Sequence, residues 1–214
     1  MPNEGWERFT AMIGRFENLS QFPAAVTHWK VVFIPKGGSN DKLTVDKLRP
    51  LRVGSTVYRI WARCRVKQLS PLLEQHLAPL QANRKMDPEV LHLILRGQCP
   101  PELYPYGLAL DYMKAFDSLN CSLGLHLLQK VGVPKKILGL LASQWQRQAR
   151  WLSLGGAIHA EPLRNAPSLM QGEPWSPITL PLVLSCPARR CARIFPAVRC
   201  TLYLDDRTIW SAVT

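Results

Sequence analysis

Three carboxylates carry most of the chemistry this sequence can offer. Tyr203-Leu204-Asp205-Asp206 sets two aspartates side by side between short apolar runs, and Tyr106 to Leu110 leads, apolar, straight into Asp111. An isolated Asp-Asp pair is ordinarily a turn, because Asp disfavours strands and adjacent like charges repel. Carboxylates that do cluster raise one another's pKa and partly neutralise unless cations hold them. From residue 108 onward there are six acids, and four of them are Asp111, Asp117, Asp205 and Asp206.

The cations lie elsewhere. The chain has 214 residues, with 27 Lys and Arg against 15 Asp and Glu, a net charge of +12, and a pI near 9.8. Residues 30 to 67 hold ten basic side chains and two acids, a local +8. Most charge runs are solvated faces, but clustering of this density suits phosphates, since counterion release rewards it. A composition of 47% hydrophobic and 20% charged residues is an ordinary globular balance, and the length suffices for one large domain or two small ones.

The longest charge-free apolar stretch, Ile178 to Ala188, is 11 residues and contains Pro181 and Pro187. A bilayer span needs roughly 20, so no membrane partner is expected. Glu4 and Glu7 stand where a secretory signal would place Lys or Arg before an apolar run, so an intracellular chain, nuclear or cytoplasmic and not secreted, is expected. In a reducing setting Cys64, Cys99, Cys121, Cys186, Cys191 and Cys200 are expected as buried small hydrophobes rather than disulfides. The spacing of the last three lacks the tight pairs of a structural zinc site.

These residues must be positioned by nearby elements. Trp29 to Ile34 reads as a strand ended by Pro35 and Gly37-Gly38, with Lys36 at the start of the loop. Ser55 opens an amphipathic helix in which Tyr58, Trp61, Cys64 and Leu69 recur, with Arg59, Arg63 and Lys67 on another face, until Pro71 perturbs it. Residues 77 to 105 are weakly patterned, with a short helix around Glu89 to Leu95. Tyr106 to Leu110 is a buried strand. Helices follow at Ser122 to Lys130, stopping at Gly132, and from Pro134, with Ile137, Leu138, Leu141 and Trp145 on one face. Trp151 to Leu154 and the chain from Ala157 form a hairpin about Gly155-Gly156, and Ser176-Pro177 starts a helix in which Pro181 is irregular. Thr201 to Leu204 and Thr208 to Ala212 are strands joined across Asp205-Asp206. This order predicts an α+β protein rather than a regularly alternating parallel one.

The segments LALDYMKAFDSL at 108 to 119, QGEPWSP at 171 to 177 and YLDD at 203 to 206 stand in one order. In that order the sequence resembles a reverse transcriptase. IPKGG at 34 to 38, LRPL at 48 to 51 and the helix YRIWARCRVKQLSPLL look like the fingers of the type found in retrotransposons lacking long terminal repeats. The resemblance runs from about Trp29 to Trp210. It implies the fingers and palm of a right-hand polymerase, with an antiparallel palm sheet packed on helices. The expected division is an N-terminal segment at 1–28, a basic fingers-like subdomain at 29–105 and a palm-like catalytic subdomain at 106–214.

By resemblance the activity is RNA-directed DNA polymerisation, with an RNA template, a DNA primer and a dNTP. Asp111 and Asp205 would hold two divalent ions, one activating the primer 3′-hydroxyl and the other clamping the triphosphate. Asp206 would be a third, weaker carboxylate, and the main-chain carbonyl of Tyr112 would complete a coordination shell. Mg²⁺ fits best as an oxygen-seeking ion that keeps phosphates among its ligands, with Mn²⁺ as a substitute. Lys36 and Arg49 match cations that hold the triphosphate. Phe116 matches an aromatic that excludes a 2′-hydroxyl, and Gln171 and Gly172 match the loop beneath the template–nucleotide pair. Arg52, Arg59, Arg63 and Lys67 are the cations expected to meet nucleic acid. Asp117 is expected to order a turn rather than bind metal. The family's palm continues past its Tyr-x-Asp-Asp hairpin into further strands and a helical thumb, so a thumb is expected to be absent here. Pro181 and Arg207 also depart from the family pattern. A truncated, inactive retroelement remnant that binds nucleic acid without extending a primer is therefore the alternative.

Overall fold

The computed structural model describes residues 3–35, 44, 47–77, 106–112, 114–164, 168–169, 171–203 and 206–211. Lys36, Cys99, Asp205 and the helix expected around Glu89 to Leu95 lie outside them. The strands are β1 (His28–Pro35), β2 (Leu48–Gly54), β3 (Tyr106–Leu110), β4 (Ala149–Leu154), β5 (Ala157–Ile158), β6 (Val198–Tyr203) and β7 (Asp206–Ser211). The helices are α1 (Asn3–Leu19), α2 (Thr56–Leu77), α3 (Cys121–Lys130), α4 (Lys135–Arg147) and α5 (Ser176–Ile194), with short helical turns at Ala24–Thr27 and Ala115–Ser118. Two units result: Met1–Leu69 with Phe116–Ser176, and Ser70–Ala115 with Pro177–Thr214.

In the first unit the sheet order is β2-β1-β4-β5. β1 pairs antiparallel with β2, from Trp29↔Gly54 to Pro35↔Leu48, and parallel with β4, from His28↔Ala149 to Val32↔Ser153. The β2 strand lies in the LRPL segment, where a proline argues against a strand. As an edge strand β2 tolerates Pro50, whose missing N–H breaks no interior ladder. Strand alternation then sorts the side chains. Arg49, Leu51 and Val53 are exposed, whereas Arg52 faces the interior.

The core of this unit is aromatic. Phe22 meets Tyr58 and Trp61 edge to face, at centroid distances of 5.7 and 5.4 Å, and Trp29 meets Tyr58 at 5.5 Å. Trp61 also approaches Trp175 at 6.2 Å. The three Phe22 and Trp29 contacts place ring edges against ring faces, which the quadrupoles favour, while Trp61 and Trp175 are tilted at 42°. The helical spacing of Tyr58 and Trp61 on α2 puts both on the core side. On another side Arg65 of α2 pairs with Glu17 of α1 at 2.6 Å, and Trp61 Nε1 donates to the same carboxylate at 2.8 Å. α4 buries Ile137, Leu141 and Trp145 as its periodicity predicts, with Leu140 and Gln144 beside them. Asn120 caps α3 by accepting the Ser122 N–H, and the expected hairpin turns at Gly155-Gly156.

The second unit holds the antiparallel sheet β3-β7-β6. It also holds α2 from Ser70 and α5 from Pro177, where Arg189 donates to the His76 carbonyl. Two expectations need correction. α2 does not yield at Pro71 but continues to Leu77, with Leu73 and Leu77 buried beyond the proline. α5 starts at Ser176 as expected and runs through both Pro181 and Pro187. Burial of apolar side chains around a proline offsets its cost of about 3 kcal/mol. The cysteines are not uniformly buried: Cys121 is, Cys191 and Cys200 are half-buried, and Cys64 and Cys186 are exposed. Among the described residues no helix is long and apolar enough to cross a membrane.

Candidate active site

Backbone register places two of the aspartates at one end of a strand pair. β3 and β7 pair antiparallel with Leu110 opposite Arg207. Asp111 follows Leu110 and Asp206 precedes Arg207 in the sequence, so both lie at the same end of this strand pair. β6 and β7 pair through Tyr203↔Asp206, and Asp205 stands between those two in the sequence. Asp111 is exposed and Tyr112 half-buried. Among the described residues no group of three or more His, Cys, Asp or Glu side chains forms a metal cluster. Carboxylate oxygens are the hard donors that a divalent ion such as Mg²⁺ prefers.

The remaining candidates cluster in the first unit. Arg49 is exposed on β2, and Phe116 and Gln171 are half-buried. Phe116 lies in the turn Ala115–Ser118, which Asp117 enters as a first-turn acid. The chain reaches that turn through Lys114 at φ +52, a left-handed conformation that non-glycine residues seldom adopt. Gly172 has φ +89, and a Cβ there would lie 2.8 Å from the Arg52 main-chain oxygen.

Two buried arginines hold the segment just before Gln171. Arg52 Nη1 donates to the Leu169 carbonyl at 3.1 Å and Nη2 to Asp117 Oδ1 at 2.7 Å. Arg150 donates through Nη2 to the Ser168 carbonyl at 2.8 Å and through Nη1 to the Ser168 hydroxyl at 3.2 Å. Burial, and then the neighbouring Arg52 charge, push the Arg150 guanidinium down to about 10; both arginines remain cations at neutral pH. Burial pushes the Cys121 thiol up to about 12, so it is no nucleophile.

The profile of the family described as Reverse transcriptase (RNA-dependent DNA polymerase) matches residues 34–213. The chain belongs to that family. Its fold is similar to that of apo telomerase from Candida tropicalis truncated from the C-terminal domain, with TM-score 0.57 and 16% identity over 87% of this chain and 44% of that one. It is similar also to Candida tropicalis telomerase in complex with a TWJ fragment of telomeric RNA, with TM-score 0.59 and 14% identity over 90% and 37%. The Sicinivirus 3Dpol RNA-dependent RNA polymerase gives TM-score 0.57 and 16% identity over 95% and 44%. The chain thus spans less than half the length of these structures, and what they share with it is the right-hand polymerase fold. No curated protein matches the sequence.

Within this reverse transcriptase fold, Arg59 is half-buried and Arg63 and Lys67 are exposed along one stripe of α2. Arg52 is not on that surface: it is 9% exposed and tied to Asp117 and Leu169. Counting it with the helix cations ignored that it sits on a strand, where alternation turns it opposite to Arg49. Asp117 orders its turn as expected, but does so by accepting from Arg52.

One residue of the reverse transcriptase motifs escaped sequence reasoning. Glu173, 1% exposed, accepts from the Tyr58 hydroxyl, from the Trp175 N–H at 2.8 Å and from Ser176 Oγ at 3.3 Å. Burial pushes its carboxyl up to about 7 against those stabilising hydrogen bonds. Burial and the Glu173 charge in turn keep the Tyr58 phenol neutral, well above its ordinary value. The signal was present, because Glu173 is the only charged residue between Arg164 and Arg189. It anchors the loop bearing Gln171 and Gly172 to α2. Gly172→Ala is expected to destabilise the protein by about 2 kcal/mol, through left-handed strain and the clash with the Arg52 carbonyl. Urea denaturation measures this, and a loss under 0.5 kcal/mol would show that the loop relaxes freely.

Proposed function

We propose that this chain is the fingers-and-palm part of an RNA-directed DNA polymerase that adds deoxynucleotides to a DNA primer 3′-hydroxyl on an RNA template. The observation that supports the proposal is the β3–β7 register, whose last pair, Leu110↔Arg207, leads into Asp111 on one strand and follows Asp206 on the other. Asp111, Asp205, Asp206 and the Tyr112 carbonyl would hold two Mg²⁺, or Mn²⁺ in substitution. When bound, such ions supply charge neutralisation at the triphosphate and lower the pKa of the attacking hydroxyl.

The chain's own side chains do the rest. Lys36 and Arg49 bind the triphosphate oxygens, and Phe116 lies against the sugar and excludes a 2′-hydroxyl. Gln171 and Gly172 support the template–nucleotide pair. Arg59, Arg63 and Lys67 contact nucleic-acid phosphates. A telomerase of like fold bound to a telomeric RNA fragment supports an RNA template, and the IPKGG and LRPL segments favour the type lacking long terminal repeats. The place of action would be the nucleus or cytoplasm.

Primer extension tests this reading. On poly-A with oligo-dT and Mg²⁺, dTTP incorporation is expected, lost with EDTA, recovered with excess Mg²⁺ and lost in Asp205→Ala. Salt-sensitive RNA binding without incorporation would instead establish the nucleic-acid-binding remnant.

A further inference from the structure

Three pieces of the nucleotide side come from distant parts of the chain: Arg49 on β2, Phe116 in the turn after β3, and Gln171-Gly172 in the loop before α5. Arg52 touches the supports of all three. It shares β2 with Arg49, three residues away. Its Nη2 bonds Asp117, the neighbour of Phe116, at 2.7 Å, and its Nη1 bonds the Leu169 carbonyl, two residues before Gln171, at 3.1 Å. Its main-chain oxygen stands 2.8 Å from where a Gly172 Cβ would be. The Leu169 N–H is already bound to the Leu119 carbonyl at 2.9 Å. The Phe116 turn and the Gln171 loop therefore meet on one guanidinium.

We propose that Arg52 is a positioning residue which, through Asp117 and the Leu169 carbonyl, sets the separation of Arg49, Phe116 and Gly172 and so governs dNTP affinity and sugar discrimination. The inference rests on the polymerase reading. The site needs Arg specifically. A planar fork reaches two acceptors on separate segments, whereas a lysine ammonium on a single stem satisfies one and shifts the other. The ion pair is largely inside, with side-chain exposures of 8% for Arg52 and 25% for Asp117. A buried pair broken on one side leaves an uncompensated charge, so the geometry is held firmly. A displacement of about 1 Å in groups that orient substrate is worth up to roughly 100-fold in rate.

The test compares wild type, Arg52→Lys and Asp117→Asn in primer extension on poly-A with oligo-dT. Thermal melting and primer–template Kd are measured on the same preparations. For Arg52→Lys, the dTTP KM is expected to rise about tenfold with kcat within about twofold, the preference for dTTP over UTP to fall, and the primer–template Kd to stay within about twofold. Asp117→Asn keeps the volume, leaves Arg52 in place and is expected to reproduce the pattern, which decides the matter should Arg52→Lys fail to fold. A weakened primer–template Kd with an unchanged dTTP KM would overturn the proposal in favour of nucleic-acid contact. So would a KM indifferent to both substitutions. A wild type that incorporates nothing overturns the polymerase reading itself, and this inference with it.

Discussion

Asp111→Asn is expected to abolish nucleotide incorporation while leaving the fold intact. Asp111 is exposed and directly follows β3, whose last pair with β7 is Leu110↔Arg207, at the strand-pair end where Asp206 begins β7. An asparagine there keeps the volume and one oxygen but loses the negative charge that an oxygen-seeking dication needs. Ion-borne stabilisation of transition-state charge is worth several kcal/mol. A loss of about 4 kcal/mol corresponds to roughly 10³-fold in kcat. Stability should hold, because Asp111 is exposed and no apolar packing is disturbed. Steady-state primer extension beside a thermal melt and salt-dependent RNA binding checks this. A loss below tenfold with unchanged melting would remove Asp111 from the ion site.

Glu173→Gln is expected to stabilise the protein at neutral and higher pH and to leave it unchanged near pH 4.5. The carboxyl titrates near 4.5 when unfolded and at about 7 in the buried site. Between those values the folded state holds a proton that the unfolded state has released. Stability contributed by the neutral acid is therefore complete below about 4.5 and is lost as pH rises through about 7. The difference between the two pKa values amounts to about 3 kcal/mol, an upper figure since a glutamine cannot accept all the bonds offered by Tyr58, Trp175 and Ser176. Urea denaturation of wild type and variant from pH 5 to 8 isolates Glu173 from the other carboxylates. A variant less stable than wild type at pH 8 would show that the ionised carboxylate is net favourable in this pocket.

Local elements were legible where short-range pattern sufficed. The β1 run of β-branched and aromatic residues, the helical recurrence of Tyr58 and Trp61, and Pro134 opening α4 each bias a few residues through their own backbone and neighbours, and each appears near its expected place. The two long helices overrode their prolines because burial beyond Pro71 and along α5 outweighs a local penalty. β2 was hidden by Pro50, acceptable only because the strand lies at a sheet edge, which is a property of the sheet and not of the segment. Arg52 was misread for the same reason, being grouped by sequence proximity with α2 cations while its strand turned it inward.

By itself the sequence determined the motif order, the charge distribution and hence the family, since these depend on residue type and spacing alone. It also determined that Asp111 ends an apolar strand and that Asp205-Asp206 follows another. Only the tertiary structure decided that β3 and β7 pair antiparallel in the register that ends at Leu110↔Arg207, between Asp111 and Asp206. Only it decided that Arg52 finds Asp117 at a separation of 65 residues and Leu169 at 117. Such pairings come from the balance of burial, desolvation and hydrogen bonding across the whole chain, which no local window contains.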